Sequence, residues 1–247
     1  MQGRNDFIER LLENAGVTTG MRVLDVGCAT GEVTQIVAKI VGETGEVIGV
    51  DMNQNLLDIA ENNNHAPHVQ FINADLYQLP ESLGQFDVIV GRRILMYLPD
   101  VPQILTMLKS RLNPKGIMCF QESDAINGGV GGESLPEHQR AIQRVWSTIQ
   151  HEGGDMHIGQ KLYDLFLQAG ITDVYVLAEA LIQTSDNNDL QGLTEIMLPR
   201  MRKHGVVSED FSVEEWKQQM HQEANSHDVA FIRDMAYGII GRKSFQS

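Results

Sequence analysis

Apolar residues along the first half of the chain switch between two periods. Phe7, Ile8, Leu11 and Leu12 recur at helical spacing and stop at Ala15-Gly16, so the chain opens with an amphipathic helix. Met21 to Val26 is a short run rich in branched aliphatic residues that breaks at Gly27, and Glu32 to Val41 returns to the helical period. The alternation continues, with strands predicted over Glu46 to Asp51, Val69 to Asn73 and Phe86 to Gly91 and a helix over Gln54 to Asn63. A helix from Val101 to Leu112 is closed by Asn113-Pro114, and Lys115 to Gln121 is a fifth strand. Strands alternating with helices need crossover connections, which are right-handed and cover both faces of a mostly parallel sheet. The pattern predicts a doubly wound α/β fold.

The glycines Gly128, Gly129, Gly131 and Gly132 divide this portion from a helical stretch at about Leu135 to Gly153 and a helix from about Gly159 to Ala169. Val174 to Thr184 and Val229 to Gly241 read as two long late strands, with a largely helical insertion from Leu190 to Ala224 between them. One domain spanning 1–247 is expected, with cap segments at about 128–158 and 186–226. No internal repeat or low-complexity tract stands out.

Composition narrows the partners. Of 247 residues, 42% are hydrophobic, enough for a substantial core, and 33 acidic against 19 basic side chains give a net charge of -14. Such a surface repels phosphate backbones and anionic lipid, so neither a nucleic acid nor a membrane is expected as partner. The densest basic stretch, Arg200, Arg202, Lys203 and His204, reads as a solvated helix end. Cys28 and Cys119 are the only cysteines, which leaves disulfide scaffolding and Cys-pair zinc sites unsupported. The first residues lack the apolar run of a signal peptide, and no stretch approaches the ~20 apolar residues that cross a bilayer. The expected compartment is the cytoplasm.

Chemistry concentrates in Val23-Leu24-Asp25-Val26-Gly27-Cys28-Ala29-Thr30-Gly31-Glu32, an acid near a strand end and a small-residue turn directly before a helix. Small residues let the backbone approach a ligand, and the N–H groups opening the helix suit a polar or anionic group. Nicotinamide-binding turns carry G-x-G-x-x-G; here the spacing is Gly27-x-Ala29-x-Gly31, with Asp25 ahead of it. That acid would repel a pyrophosphate but attract an ammonium. Acids also end the next two strands in Gly49-Val50-Asp51-Met52 and Asn73-Ala74-Asp75-Leu76. Any one such acid also serves as a helix cap or Asx turn. Three at successive strand ends point to one crevice at the carboxyl rim of the sheet.

These motifs resemble those of the class I S-adenosylmethionine (SAM)-dependent methyltransferases, in particular the small-molecule, UbiE/type 11-like branch. The likeness covers almost the whole chain and is strongest between Gly20 and Glu122. It implies a Rossmann-like seven-stranded sheet in the order 3-2-1-4-5-7-6, with the last strand antiparallel. It also implies SAM as cofactor and S-adenosylhomocysteine (SAH) as product. Asp25, Gly27, Cys28, Ala29 and Gly31 correspond to the first motif, with Ala29 in place of its usual middle glycine. Asp51 matches the acid that accepts the ribose hydroxyls, Met52 lies against the adenine, and Asn73, Ala74, Asp75 and Leu76 match the adenine-side loop. Gly91 and Arg92 fall where the methionine end is flanked. Arg92 has two readings, pairing with the methionine carboxylate or bonding to a neighbouring acid, and the first is favoured.

The expected reaction is in-line methyl transfer to the oxygen, nitrogen or carbon of a small molecule, which alignment alone can catalyse. Tyr97, Glu122, Asp124, His138, His151 and His157 are the candidates for orienting the acceptor or taking its proton, with Tyr97, Glu122, His138 and His157 foremost. No metal is expected, because Arg92 and Arg93 stand where some relatives hold a divalent cation. A monomer or homodimer is expected. A SAM-binding protein that transfers no methyl, as regulator or cyclase, is the alternative; a macromolecular substrate and a nicotinamide oxidoreductase stand further back.

Overall fold

Seven strands form one mixed sheet in the computed structural model, in which residues 5–125 and 133–244 are described. Helix α1 (Asp6–Ala15) precedes β1 (Arg22–Val26), followed by α2 (Glu32–Val41), β2 (Glu46–Asp51), α3 (Gln54–Asn63), β3 (Val69–Asn73), β4 (Phe86–Arg92) and α4 (Val101–Ser110). Then come β5 (Leu112–Asp124), α5 (Pro136–His151), α6 (Ile158–Gln168), β6 (Ile171–Thr184), α7 (Leu190–Lys203), α8 (Val213–Ser226) and β7 (Ala230–Lys243). The strand order is β3-β2-β1-β4-β5-β7-β6, as the family resemblance implies. The neighbours β3 and β2, β2 and β1, β1 and β4, and β4 and β5 pair in parallel. The glycine cluster from Gly128 to Gly132 lies outside the described residues.

The two-residue period of the strands sorts their side chains. Val23, Val47, Val88, Val90, Ile117 and Cys119 pack in one buried cluster with Ile8, Leu11 and Leu12 of α1 and Ile36, Val37 and Val41 of α2. The alternate positions Leu24, Ile48, Ile89, Met118 and Phe120 are buried as well. Central parallel strands are covered on both faces, which is why they read as unbroken apolar runs.

The fifth strand departs from the sequence expectation. It begins at Leu112 and continues to Asp124, and α4 stops at Ser110 instead of Leu112. Phe86 pairs with Leu112 but Val88 with Ile117, so an irregularity absorbs the Asn113-Pro114 stretch, and Lys115 sits at φ 66. Proline is tolerated at such a break because no ladder N–H is required of it.

By internal contacts the chain divides into two units. The first contains the described chain as far as Glu122, then 159–177 and the residues from Tyr237 on; the second contains the described residues of 123–158 and 178–236. The described residues of 133–158 and those of 186–226 fall in the second. Within it, α5 buries Ala141, Ile142, Val145, Trp146 and Ile149 and packs against α7 and α8. Glu223 of α8 accepts the N–H of Glu137 at 2.6 Å, satisfying a backbone donor that opens α5. Among the described residues, no helix is long and apolar enough to cross a membrane.

Candidate active site

The turn after β1 is shaped by left-handed backbone. Gly27, Ala29 and Gly31 have φ of 68, 48 and 80°. Gly27 and Cys28 both donate to the Val50 carbonyl, at 2.8 and 3.1 Å, and Gly31 donates to the Cys28 carbonyl at 2.8 Å. A Cβ at Gly27 would lie 2.7 Å from Ile94, and one at Gly31 2.8 Å from Phe71, so glycine is required there by space as well as by φ. Ala29 accepts the left-handed conformation at a cost of about 1–2 kcal/mol. Its N–H donates to Asp51 Oδ2 at 2.9 Å, which ties the turn to the end of β2.

Asp51 takes a second backbone donor, the Asn53 N–H, on Oδ1 at 2.8 Å. A carboxylate has about four acceptor positions, so these two bonds do not exhaust it. Met52 beside it is 75% exposed. The Ala74 N–H, at 3.2 Å, and Asn73 Nδ2, at 3.3 Å, both donate to the Asp51 carbonyl, bringing the end of β3 to the same rim. Asp75 Oδ1 accepts the Tyr77 N–H at 2.9 Å and caps the short 3-10 turn Leu76–Gln78, with Leu76 buried. Asp51 and Asp75 thus both make the local bonds of turns and caps.

Asp25 is different in kind. Only 1% exposed, it accepts the Thr34 hydroxyl at 2.6 Å. Burial pushes its carboxyl up to about 7, opposed by the Thr34 bond and the charge of Arg92. The acid therefore braces the turn from beneath. Cys28 is buried too, and its thiol is pushed up by burial and by Asp25.

At the end of β4, a Cβ on Gly91 would meet Phe120 at 2.6 Å. The Arg92 guanidinium pairs with Glu32, the first residue of α2, and donates to Asn5 Oδ1 at 2.9 Å. Of the two readings of Arg92, its described partners follow the second, the neighbouring acid. Glu122 is fully buried; its Oε1 accepts the Ile94 N–H at 3.0 Å and the Leu95 N–H at 2.8 Å, while Oε2 has no hydrogen-bond partner among the described residues. Burial pushes this carboxyl up to about 7 against the pull of those N–H groups. Glu122 clamps the segment after β4, where Tyr97 sits 42% exposed.

The candidate histidines lie in the second unit. His138 is buried, with Nδ1 2.9 Å from Glu223 and its ring edge against Phe231. His151 is exposed and its Nδ1 is 2.7 Å from the Ser147 carbonyl. His157 is half exposed, and its Nδ1 lies 3.0 Å from Asp124, which is buried. Sequence reasoning missed Glu32, Thr34, Ile94 and Glu223. Only Glu32 carried a signal, an acid at a helix start that follows an anion-tolerant turn. Among the described residues, no group of three or more metal-ligating side chains comes together.

The family described as "Methyltransferase domain" matches residues 18–170. The demethylmenaquinone methyltransferase of Staphylococcus saprophyticus is 34% identical over 188 residues, 68% of this chain and 77% of that protein. Its namesake from Staphylococcus aureus (strain MRSA252) is 33% identical over 117 residues, 48% of its own length. Among solved structures, the YcgJ protein of Bacillus subtilis shares the fold with a TM-score of 0.61 at 15% identity, covering 95% of this chain and 97% of that one. The [4+2]-cyclase SpnF does so at 0.57 and 20%, covering 97% and 81%. The fold is thus not tied to one chemistry, but the family match spans the strand ends that carry the small-residue turn, Asp51 and Asp75. The chain belongs to the class I SAM-dependent methyltransferases.

Proposed function

We propose that the first unit holds SAM along the carboxyl ends of β1 to β4 and that the methyl group passes to a small organic acceptor. SAM supplies an electrophilic methyl group on a sulfonium. Gly27, Cys28, Ala29 and Gly31 would surround its methionine part, Asp51 would accept the ribose hydroxyls, and Met52, Asn73, Ala74, Asp75 and Leu76 would line the adenine. Gly91 and Arg92 would flank the methionine end, with Arg92 neutralised by Glu32 so that no bare cation opposes the sulfonium.

The observation that carries this reading is Asp51. Its carboxylate holds the turn and the end of β2 through the Ala29 and Asn53 N–H groups and keeps acceptor capacity for a diol. The donor set also fits: carboxylates and backbone N–H groups suit a cationic nucleoside, whereas a pyrophosphate would call for cationic clamps. The name of the Staphylococcus saprophyticus relative supports a small, largely apolar acceptor, and the net charge of -14 disfavours nucleic acid. The acceptor atom is oxygen, nitrogen or carbon, and the chain's part in the step is alignment.

The test is methyl transfer from labelled SAM by the purified protein to a panel that includes 1,4-dihydroxynaphthalene. Label in an organic extract together with SAH supports the reading. SAM bound but never consumed across the panel would move the protein to the non-methylating class.

A further inference from the structure

We propose that Glu122 is a positioning residue for the cofactor: it sets the place of Ile94, whose side chain fills the space between Gly27 and Gly91 and walls the site for the methionine part of SAM. This role rests on the methyl-transfer reading above, and all the residues concerned belong to the first unit.

The end of β5 holds the chain that leaves β4. Three consecutive backbone N–H groups are bound there: Arg93 donates to the Gln121 carbonyl at 2.8 Å, and Ile94 and Leu95 donate to Glu122 Oε1 at 3.0 and 2.8 Å. Arg93 turns the chain at φ 55, a left-handed conformation that is unfavourable for a residue with a Cβ. Such strain persists where the surrounding structure over-determines it, and it gathers at ligand sites. The short 3-10 turn Leu95–Tyr97 then starts from Ile94, which supplies no side-chain cap of its own. Its opening N–H groups are held instead by a carboxyl 27 and 28 residues further along the chain.

Ile94 is half-buried, and its side chain lies against two glycines. A Cβ at Gly27 would stand 2.7 Å from its Cδ1 and Cγ1, and one at Gly91 3.0 Å from its Cγ2. The isoleucine thus occupies the room that side chains at the ends of β1 and β4 would need. Gly27 opens the small-residue turn and donates to the Val50 carbonyl, so a displaced Ile94 is felt in the bend assigned to the methionine part. Close packing leaves no spare volume to absorb such a shift.

A cap that merely stabilises the turn is the plain alternative. Serine, threonine, asparagine or aspartate at the cap position does that without burying a distant charge. Glu122 is a costlier device: it is fully buried, Oε2 has no hydrogen-bond partner among the described residues, and desolvation raises the carboxyl to about 7. The charge of Arg93 opposes that rise. One three-residue turn does not account for a carboxyl held in this way, whereas the side chain that the turn carries into the cofactor site does. Both protonation states keep a lone pair on Oε1, so an amide oxygen can take over the hold.

Isothermal titration of SAH into the whole protein tests this, with the folding of each variant checked by circular dichroism. Glu122→Leu removes the acceptor and should weaken SAH about tenfold, whereas Glu122→Gln, which keeps an oxygen, should stay within about twofold of wild type. Ile94→Ala leaves the carboxyl in place and should also weaken SAH about tenfold. Because both act through one side chain, the double variant should be no more than about twofold weaker than the poorer single one. An unchanged Kd in folded Glu122→Leu or Ile94→Ala overturns the proposal, and the former leaves only a cap. So do losses that multiply in the double variant, or a Glu122→Gln protein as weak as Glu122→Leu. Where Glu122→Leu does not fold, the wild type decides: SAH should shift the Ile94 and Leu95 amide resonances, and amides that do not respond overturn the proposal. Failure of the wild type to bind SAH would instead remove the methyltransferase site itself, a separate result.

Discussion

Glu122→Gln tests whether the carboxyl under the post-β4 segment is held against its own charge. In the wild type this group is fully buried and raised from 4.5 to about 7, chiefly by desolvation. Between those values the folded chain keeps a proton that the unfolded chain has lost, so stability falls as pH rises through the window and is intact only below about 4.5. The displacement corresponds to about 3 kcal/mol once pH exceeds both values, and about 2–3 kcal/mol of it falls between pH 5 and pH 8. Glutamine keeps an oxygen for the Ile94 and Leu95 N–H groups but cannot ionise. Asp25, raised in the same direction, is common to both proteins and cancels in their difference. Urea unfolding followed by circular dichroism should therefore show the variant gaining about 2 kcal/mol or more on wild type from pH 5 to pH 8, at unchanged m value. Parallel stability profiles would refute the reasoning, because a charge buried at no cost cannot be what Glu122 carries.

Gly27→Ala should destabilise by about 2–4 kcal/mol in the same assay, combining a positive φ with a Cβ 2.7 Å from Ile94. Ala29→Gly, at a position that is already left-handed, should change stability by no more than about 1 kcal/mol; equal effects at the two sites would contradict the account of the turn. His138→Ala should cost about 2–4 kcal/mol through lost packing on Phe231 and the lost Nδ1 contact with Glu223, while the Kd for SAH stays put. A stable His138→Ala protein that binds SAH normally but has lost turnover would make that histidine catalytic.

What the sequence made legible was mostly local. Elements β1 through β3, with α2 and α3, begin and end within a residue of their predicted limits, because glycine turns and two-residue and helical periods speak for themselves. The small-residue turn and Asp51 were legible for the same reason: their bonds are made by backbone within and beside the motif. Asn113-Pro114 misled because it reads as a stop, and only pairing with β4 reveals the irregularity that lets β5 pass through it. Side-chain partners were the least legible. Arg92 meets Glu32 across 60 residues and Glu122 meets Leu95 across 27, so their roles are decided by packing that no local pattern encodes. Asp124 and His157 were each singled out, but nothing in a one-dimensional string joins them across 33 residues.

The central claim is that Asp51 anchors a SAM site at the strand ends, and isothermal titration of SAH into wild type and Asp51→Ala tests it most directly. The account predicts clear binding by the wild type and a loss of about 1–3 kcal/mol, a Kd about 5- to 150-fold weaker, in a variant that still folds. An unchanged Kd in the folded variant would remove Asp51 from the site and contradict the account.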